Sequence, residues 1–244
     1  VRAVMPAYSY VYYADTASAP YGPKSQAEIR ALVRRAVRSM FALGCELIIL
    51  ACNTASATAL RDIQRRVLPT EFPDKRVLGV IVPTIEEVTM RPNERVGIIA
   101  TVSTVASHVY DIELKKRNPS LTIVEYAAPE LATLIEEGHT ERAVEQLQRA
   151  VHTLEHEKCK TIVLGCTHYA FIKEQIVHVD NETTIISQDD IIPIRLKEYL
   201  ERHDAITRLL ARDASITFRL TASHAYTERR IRDWFPNSDL FIGH

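Results

Sequence analysis

Apolar positions along the chain follow two periods, and the change from one to the other marks out its elements. Short apolar runs within 46–51, 95–100 and 161–165, each opened by a polar residue, predict buried strands, whereas Ile29, Leu32, Val33, Ala36, Val37 and Met40 recur at helical spacing. A strand is predicted over 8–14, then a loop over 15–24 shaped by its prolines and glycine. Ser25 and Glu28 form a capping box at the start of the next helix, which Gly44 ends. The strand at 46–51 follows, then a helix over 56–68 and a strand over 76–82. The rhythm restarts with the strand at 95–100, a hydroxyl-rich loop of Thr101, Ser103 and Thr104, and a helix to about 117. A strand at 121–126 leads to a helix over 140–156, with Ala143, Leu147, Ala150, Val151 and Leu154 on one face. Beyond the strand at 161–165 come a helix from about 169, a strand at 184–187, a helix through 199 and a final strand at 215–221. Trp234 and Phe235 are expected to pack a C-terminal helix onto the core.

This alternation predicts an α/β fold with parallel sheets, because parallel strands need a crossover helix between them. The restart predicts two similar α/β domains facing each other across a central cleft, one formed by 1–81 plus 193–244 and the other by 82–192. At 244 residues either domain can bury a core.

Charge removes several classes of partner. With 30 basic and 31 acidic side chains, a pI near 6.8 and no run of like charge, neither a nucleic acid nor a membrane is expected to bind. A small molecule remains. No apolar stretch has the length of a membrane span or the form of a signal peptide, so a cytoplasmic protein with reduced thiols is expected.

The chemistry centres on the four cysteines. Cys45 and Cys52 bracket one apolar run, Cys159 and Cys166 bracket another, and both pairs have the same offset of 7 residues. A polar pair follows each second cysteine, Asn53 and Thr54 in one case and Thr167 and His168 in the other. Ligands of parallel sheets lie beyond the carboxyl ends of strands, where helix N-termini supply N–H donors and lower a thiol's pKa. Cys52 and Cys166 stand at such ends. Cys45 and Cys159 begin their strands and read as packing residues. Zinc is not expected, since the offset separates the sulfurs of each pair across a strand. Two facing thiols suit two-base proton transfer, while Cys166 with His168 also fits a nucleophilic-cysteine hydrolase.

The segments 50–56 (Leu-Ala-Cys-Asn-Thr-Ala-Ser) and 164–169 (Leu-Gly-Cys-Thr-His-Tyr) resemble the two signature motifs of glutamate racemases. Further agreement lies at Asp15-Thr16, Pro20-Tyr21-Gly22, the stretch 96–101 with Thr104, Glu136-Glu137-Gly138, and Asp233-Trp234-Phe235. The resemblance implies a cofactor-independent amino-acid racemase that supplies D-glutamate to peptidoglycan, with Cys52 and Cys166 as the two catalytic bases and His168 assisting Cys166. It implies substrate-binding positions at Tyr21, Gly22, Asn53, Thr54, Thr101, Thr104 and Thr167, with Glu136 near them. Glu136 as a helix-end surface acid and Tyr21 as a loop anchor are the competing readings. A homodimer is a further implication, and neither cofactor nor metal is expected.

One departure stands out. Family members begin with a strand ending in Asp-Ser-Gly, which nothing ahead of Val1 supplies here, and the first methionine is Met5. The resemblance thus implies a missing first strand, a Cys52 without its assisting acid, and a chain slower than one with that start restored. A sister racemase acting on aspartate and a non-catalytic amino-acid-binding protein are the alternative functions.

Overall fold

The computed structural model describes residues 1–91, 94–178, 182–236 and 238–243, with the side chain of Trp234 outside that description. The chain opens with β1 (Tyr10–Ala14), α1 (Gln26–Ala42), β2 (Leu47–Leu50) and α2 (Asn53–Asp62). A π-helical turn at Ile63–Val67 joins α2 to α3 (Leu68–Glu71), and β3 (Arg76–Gly79) and α4 (Ile81–Thr89) follow. Next come β4 (Arg95–Ala100), α5 (Val102–Ala106), α6 (Val109–Arg117), β5 (Thr122–Ala127), α7 (Leu131–Glu136) and α8 (Thr140–His156). The remainder is β6 (Thr161–Gly165), a 3-10 helix at Thr167–Gln175, β7 (Thr184–Ser187), α9 (Gln188–Arg202), α10 (Asp204–Thr207), β8 (Ile216–Leu220), α11 (Ala225–Trp234) and β9 (Asp239–Ile242).

Two compact units emerge from the contacts: 1–50, 59–78 and 193–244 in the first, 51–58 and 79–192 in the second. Residues 51–58, which carry Cys52, therefore group with the second unit, although the periodicity assigned them to the first.

In the first unit, β1 pairs in parallel with β8, and β8 with β9, while β2 and β3 form a separate pair. The capping box at α1 is present: the Glu28 N–H donates to Ser25 Oγ at 3.3 Å, and the Ser25 N–H donates to Glu28 Oε2 at 2.9 Å. Ile29, Val33, Val37, Met40 and Phe41 bury one stripe of the helix, each worth about 1.5–3 kcal/mol in area removed from water. Gly44 ends it at φ +86°, a conformation that a side chain would strain.

The second unit carries a four-stranded sheet in the order β5-β4-β6-β7, with every pair parallel. Its central strands β4 and β6 are buried almost throughout, as expected of a sheet covered on both faces. Side chains alternate between the faces. Val96, Ile98 and Ala100 join Ile85, Val88, Tyr110 and Leu114 from α4 and α6, while Ile99, Ile162 and Leu164 join Leu131, Leu147 and Leu154 from α7 and α8. Gly97 lets α8 approach closely, because a Cβ there would meet Leu154 Cδ1 at 2.7 Å. Ala100 pairs with Gly165, so the carboxyl ends of β4 and β6 lie side by side and Thr101 and Cys166 leave them as neighbours.

Several elements differ from the periodicity. The strand predicted over 76–82 stops at Gly79, and α4 begins at Ile81 with Pro83 in its first turn, where a missing N–H costs nothing. Ser103 and Thr104 lie in the short helix α5 rather than in a loop, and the helix expected at 56–68 begins at Asn53. The short α7 is additional, and β9 rather than β8 is the last strand. Phe235 packs on Phe218 with ring centroids 5.2 Å apart, as expected of the C-terminal helix.

Candidate active site

Cys52 stands immediately before α2, and its carbonyl accepts the Ser56 N–H at 2.9 Å, closing the helix's first turn. The sulfur is left facing the N–H groups of Ala55 and Thr54 and the Thr54 hydroxyl. Desolvation raises the thiol's pKa, the Ala55 N–H opposes it, negative charge on Cys166 adds to the rise, and both Thr54 groups oppose it. The balance is upward. A helix N-terminus alone predicts the opposite direction, and crowding by the protein together with the second sulfur accounts for the difference. The residue as a whole is nonetheless exposed to water.

Thr54, Thr101 and Thr104 form a triangle of hydroxyls. The Oγ1 atoms lie 2.9 Å (Thr54 to Thr101), 3.2 Å (Thr54 to Thr104) and 3.0 Å (Thr101 to Thr104) apart, and Thr101 Oγ1 also caps α5 by accepting the Thr104 N–H at 3.3 Å. Thr54 and Thr104 are only 2 % and 1 % exposed. Their hydroxyls are thus held in fixed directions, and that of Thr54 can donate to Cys52.

Cys166 is buried at the end of β6, directly before the 3-10 helix, and its carbonyl accepts the Tyr169 N–H at 3.1 Å. Its sulfur lies 3.7 Å from His168 Nδ1, so the two residues touch despite being only two apart on a turn. The other imidazole nitrogen, Nε2, bonds Glu136 Oε1 at 2.8 Å across from the end of α7. Burial lowers the His168 pKa, but the hydrogen bonds to Cys166 and Glu136 and the charges on both outweigh it and carry the pKa up to about 10. His168 is therefore an imidazolium at neutral pH. Tyr169 packs beside this pair, fully buried, its hydroxyl without a hydrogen-bond partner among the described residues. Burial and the charge of Cys166 push its pKa well above the ordinary phenol value.

The remaining expected residues fall elsewhere. The Asn53 side chain is 2 % exposed and turned inward: Nδ2 donates to Gln188 Oε1 at 2.7 Å, and Oδ1 accepts from Gln188 Nε2 at 2.9 Å and Tyr110 Oη at 2.8 Å. Thr167 is half-buried at the start of the 3-10 helix. Tyr21 and Gly22 belong to the first unit, where the Tyr21 hydroxyl donates to Asp15 Oδ2 at 2.8 Å and anchors its loop. Cys159 is wholly buried, its pKa pushed up to about 11 by desolvation and lowered a little by Arg95, and Cys45 is half-buried near Lys75. Both fit a packing role. All four cysteines are free thiols, and among the described residues no group of three or more His, Cys, Asp or Glu is placed to hold a metal ion. No helix among those residues is long and apolar enough to cross a membrane.

Sequence reasoning overlooked Gln188, Tyr110 and Thr84, which enclose Asn53. Their only trace in the sequence is a set of polar residues at helix starts and on apolar faces, 26 to 135 positions apart, with no local pattern to join them.

What Cys52 and Cys166 share is position: each follows a strand's carboxyl end, precedes a helix, and belongs to the second unit. The charge of one perturbs the other. The family model of Asp/Glu/hydantoin racemases matches residues 1–183. A glutamate racemase of Ruegeria pomeroyi is 37 % identical over 213 residues, covering 82 % of this chain and 78 % of its own. Another, from Lactobacillus johnsonii, is 31 % identical over 245 residues, covering 98 % and 88 % respectively. Among solved structures, the glutamate racemase isoform RacE1 of Bacillus anthracis superposes with a TM-score of 0.86 at 27 % identity, over 100 % of this chain and 90 % of that one.

Proposed function

The chain belongs to the Asp/Glu/hydantoin racemase family, and from that premise we propose that it interconverts L- and D-glutamate with Cys52 and Cys166 as the two bases. The observation that carries this reading is the pair of free thiols at two strand ends, near enough for the charge on one to raise the pKa of the other. Two such groups favour one thiolate and one thiol over two thiolates. That is the state a two-base racemase needs. The thiolate takes the α-proton, the C–H electron pair passes into the α-carboxylate system, and the opposite thiol gives its proton to the other face of the carbon. The enzyme finishes with the two protonation states exchanged, ready for the other enantiomer.

The two thiols have different support. Cys166 has the imidazolium of His168, itself held by Glu136, whereas the donors that face Cys52 among the described residues are neutral, the N–H groups of α2 and the Thr54 hydroxyl. These groups stabilise developing charge without a cofactor, since both proton steps use side chains. Thr101, Thr104 and Thr167, in the same unit, are the donors proposed for the substrate carboxylates. The D-glutamate formed would serve peptidoglycan synthesis in the cytoplasm.

Incubation with L-glutamate and with L-aspartate in deuterated water tests this reading. Incorporation of deuterium at Cα with formation of D-glutamate is expected. Exchange of aspartate alone would make the chain an aspartate racemase, and saturable binding without exchange would make it an amino-acid-binding protein.

A further inference from the structure

Gln188 begins α9, and its side chain is 3 % exposed in a closed polar network with Asn53, Tyr110 and Thr84. The donor directions in this network are determined. Thr84 Oγ1 donates its hydrogen to the Val80 carbonyl at 2.8 Å, as a helical hydroxyl bonding back one turn, and can then only accept. The group facing it at 3.2 Å must be an N–H, which makes it Nε2 of Gln188. Gln188 Oε1 therefore faces Asn53 Nδ2 at 2.7 Å, and Gln188 Nε2 returns a bond to Asn53 Oδ1 at 2.9 Å. The two amides form a reciprocal pair. Tyr110 completes it by donating to Asn53 Oδ1 at 2.8 Å. Every amide group is paired, and in so dry a place breaking one bond leaves another group unsatisfied.

Asn53 is the first residue of α2 and directly follows Cys52. Fixing its side chain fixes the backbone that aims the Thr54 and Ala55 N–H groups at the Cys52 sulfur. The same turn of α9 also reaches the other thiol's segment, because Lys173 of the 3-10 helix that follows Cys166 bonds Asp189 at 2.8 Å and Asp190 at 2.7 Å. One helix turn thus braces both cysteine loops through different residues.

We infer that Gln188 is a positioning residue for Cys52, acting through the reciprocal amide pair with Asn53 that Tyr110 and Thr84 orient. The kinetic part of this inference rests on the glutamate racemase reading; the thiol-reactivity part does not.

The test uses Gln188→Met, which keeps the length of the side chain without its hydrogen bonds, and Tyr110→Phe, which removes one hydroxyl and little else. Alkylation of Cys52 and Cys166 by iodoacetamide is followed separately by peptide mapping across a pH series, beside kcat and KM for glutamate. Slower alkylation of Cys52 by about tenfold at neutral pH is expected, equivalent to a rise of about one pKa unit, with Cys166 unchanged. For kcat a fall of about 10- to 100-fold is expected with KM within about twofold, the scale of a misplaced catalytic group. Wild-type Cys52 reactivity in either folded variant would overturn the inference, whatever its melting temperature. Should Gln188→Met fail to fold, Tyr110→Phe decides alone. Wild-type protein that racemises no glutamate would refute the functional reading and leave the alkylation result to judge Gln188.

Discussion

Glu136 Oε1 and His168 Nε2 are 2.8 Å apart, and His168 Nδ1 in turn faces the Cys166 sulfur at 3.7 Å, so carboxylate, imidazole and thiol form one line. Glu136 is thereby tied to His168 and, through it, to Cys166. Replacing it with Gln keeps the shape and removes the charge. His168 should then titrate below its present value of about 10, and the high-pH limb of the rate profile should move to lower pH. Comparison of kcat/KM against pH for wild type and Glu136→Gln checks this, and superimposable profiles would contradict it.

The same line predicts a pH dependence of stability. The folded pKa of His168, about 10, lies above its unfolded value near 6.5, so its contribution is complete below the unfolded value and is lost as pH rises toward 10. Thermal melts should show wild type losing more stability between pH 7 and 10 than His168→Asn does. Parallel curves for the two proteins would refute the linkage.

Thr54→Val removes one hydroxyl with little change in volume. The Cys52 sulfur loses a donor and Thr101 and Thr104 lose a partner, so the Cys52 pKa should rise further and its alkylation at neutral pH should slow. Cys166 is the internal control. A rate for Cys52 equal to that of wild type would show that the Thr54 hydroxyl points elsewhere.

Gly97 tests the packing of the second unit. A valine there would drive its Cβ to 2.7 Å from Leu154 Cδ1 and to 3.2 Å from Leu154 Cβ, so that the Leu154 side chain must repack or α8 must give way. Overpacking of this kind costs about 1–3 kcal/mol, measurable by urea unfolding. Unchanged stability would mean that α8 does not rest against β4 at this point.

Much of this architecture is legible in the residues alone. Strands β4, β6 and β7 and helix α8 coincide with their predicted spans because buried parallel strands read as unbroken apolar runs, and because α8 carries a clean stripe from Ala143 to Leu154. Helix α4 escapes for the converse reason: Val80, Ile81 and Val82 extend the β3 pattern, and Pro83 suggests a break where it is in fact tolerated in a first turn. The short α7 and the exposed β9 offer too few residues for a period to register. Local pattern placed Cys52 and Cys166 beyond strand ends, as the structure has them, and could not foresee that Asn53 turns inward. That orientation depends on Gln188, 135 positions away, and such a contact has no local signature.

The most direct measurement is the racemisation of L- and of D-glutamate by Cys52→Ala, followed by circular dichroism. With Cys166 and its imidazolium intact but the opposite base removed, both directions should fall by about 100- to 10000-fold, the span of one general acid or base. Turnover near the wild-type rate in either direction would contradict the two-thiol account.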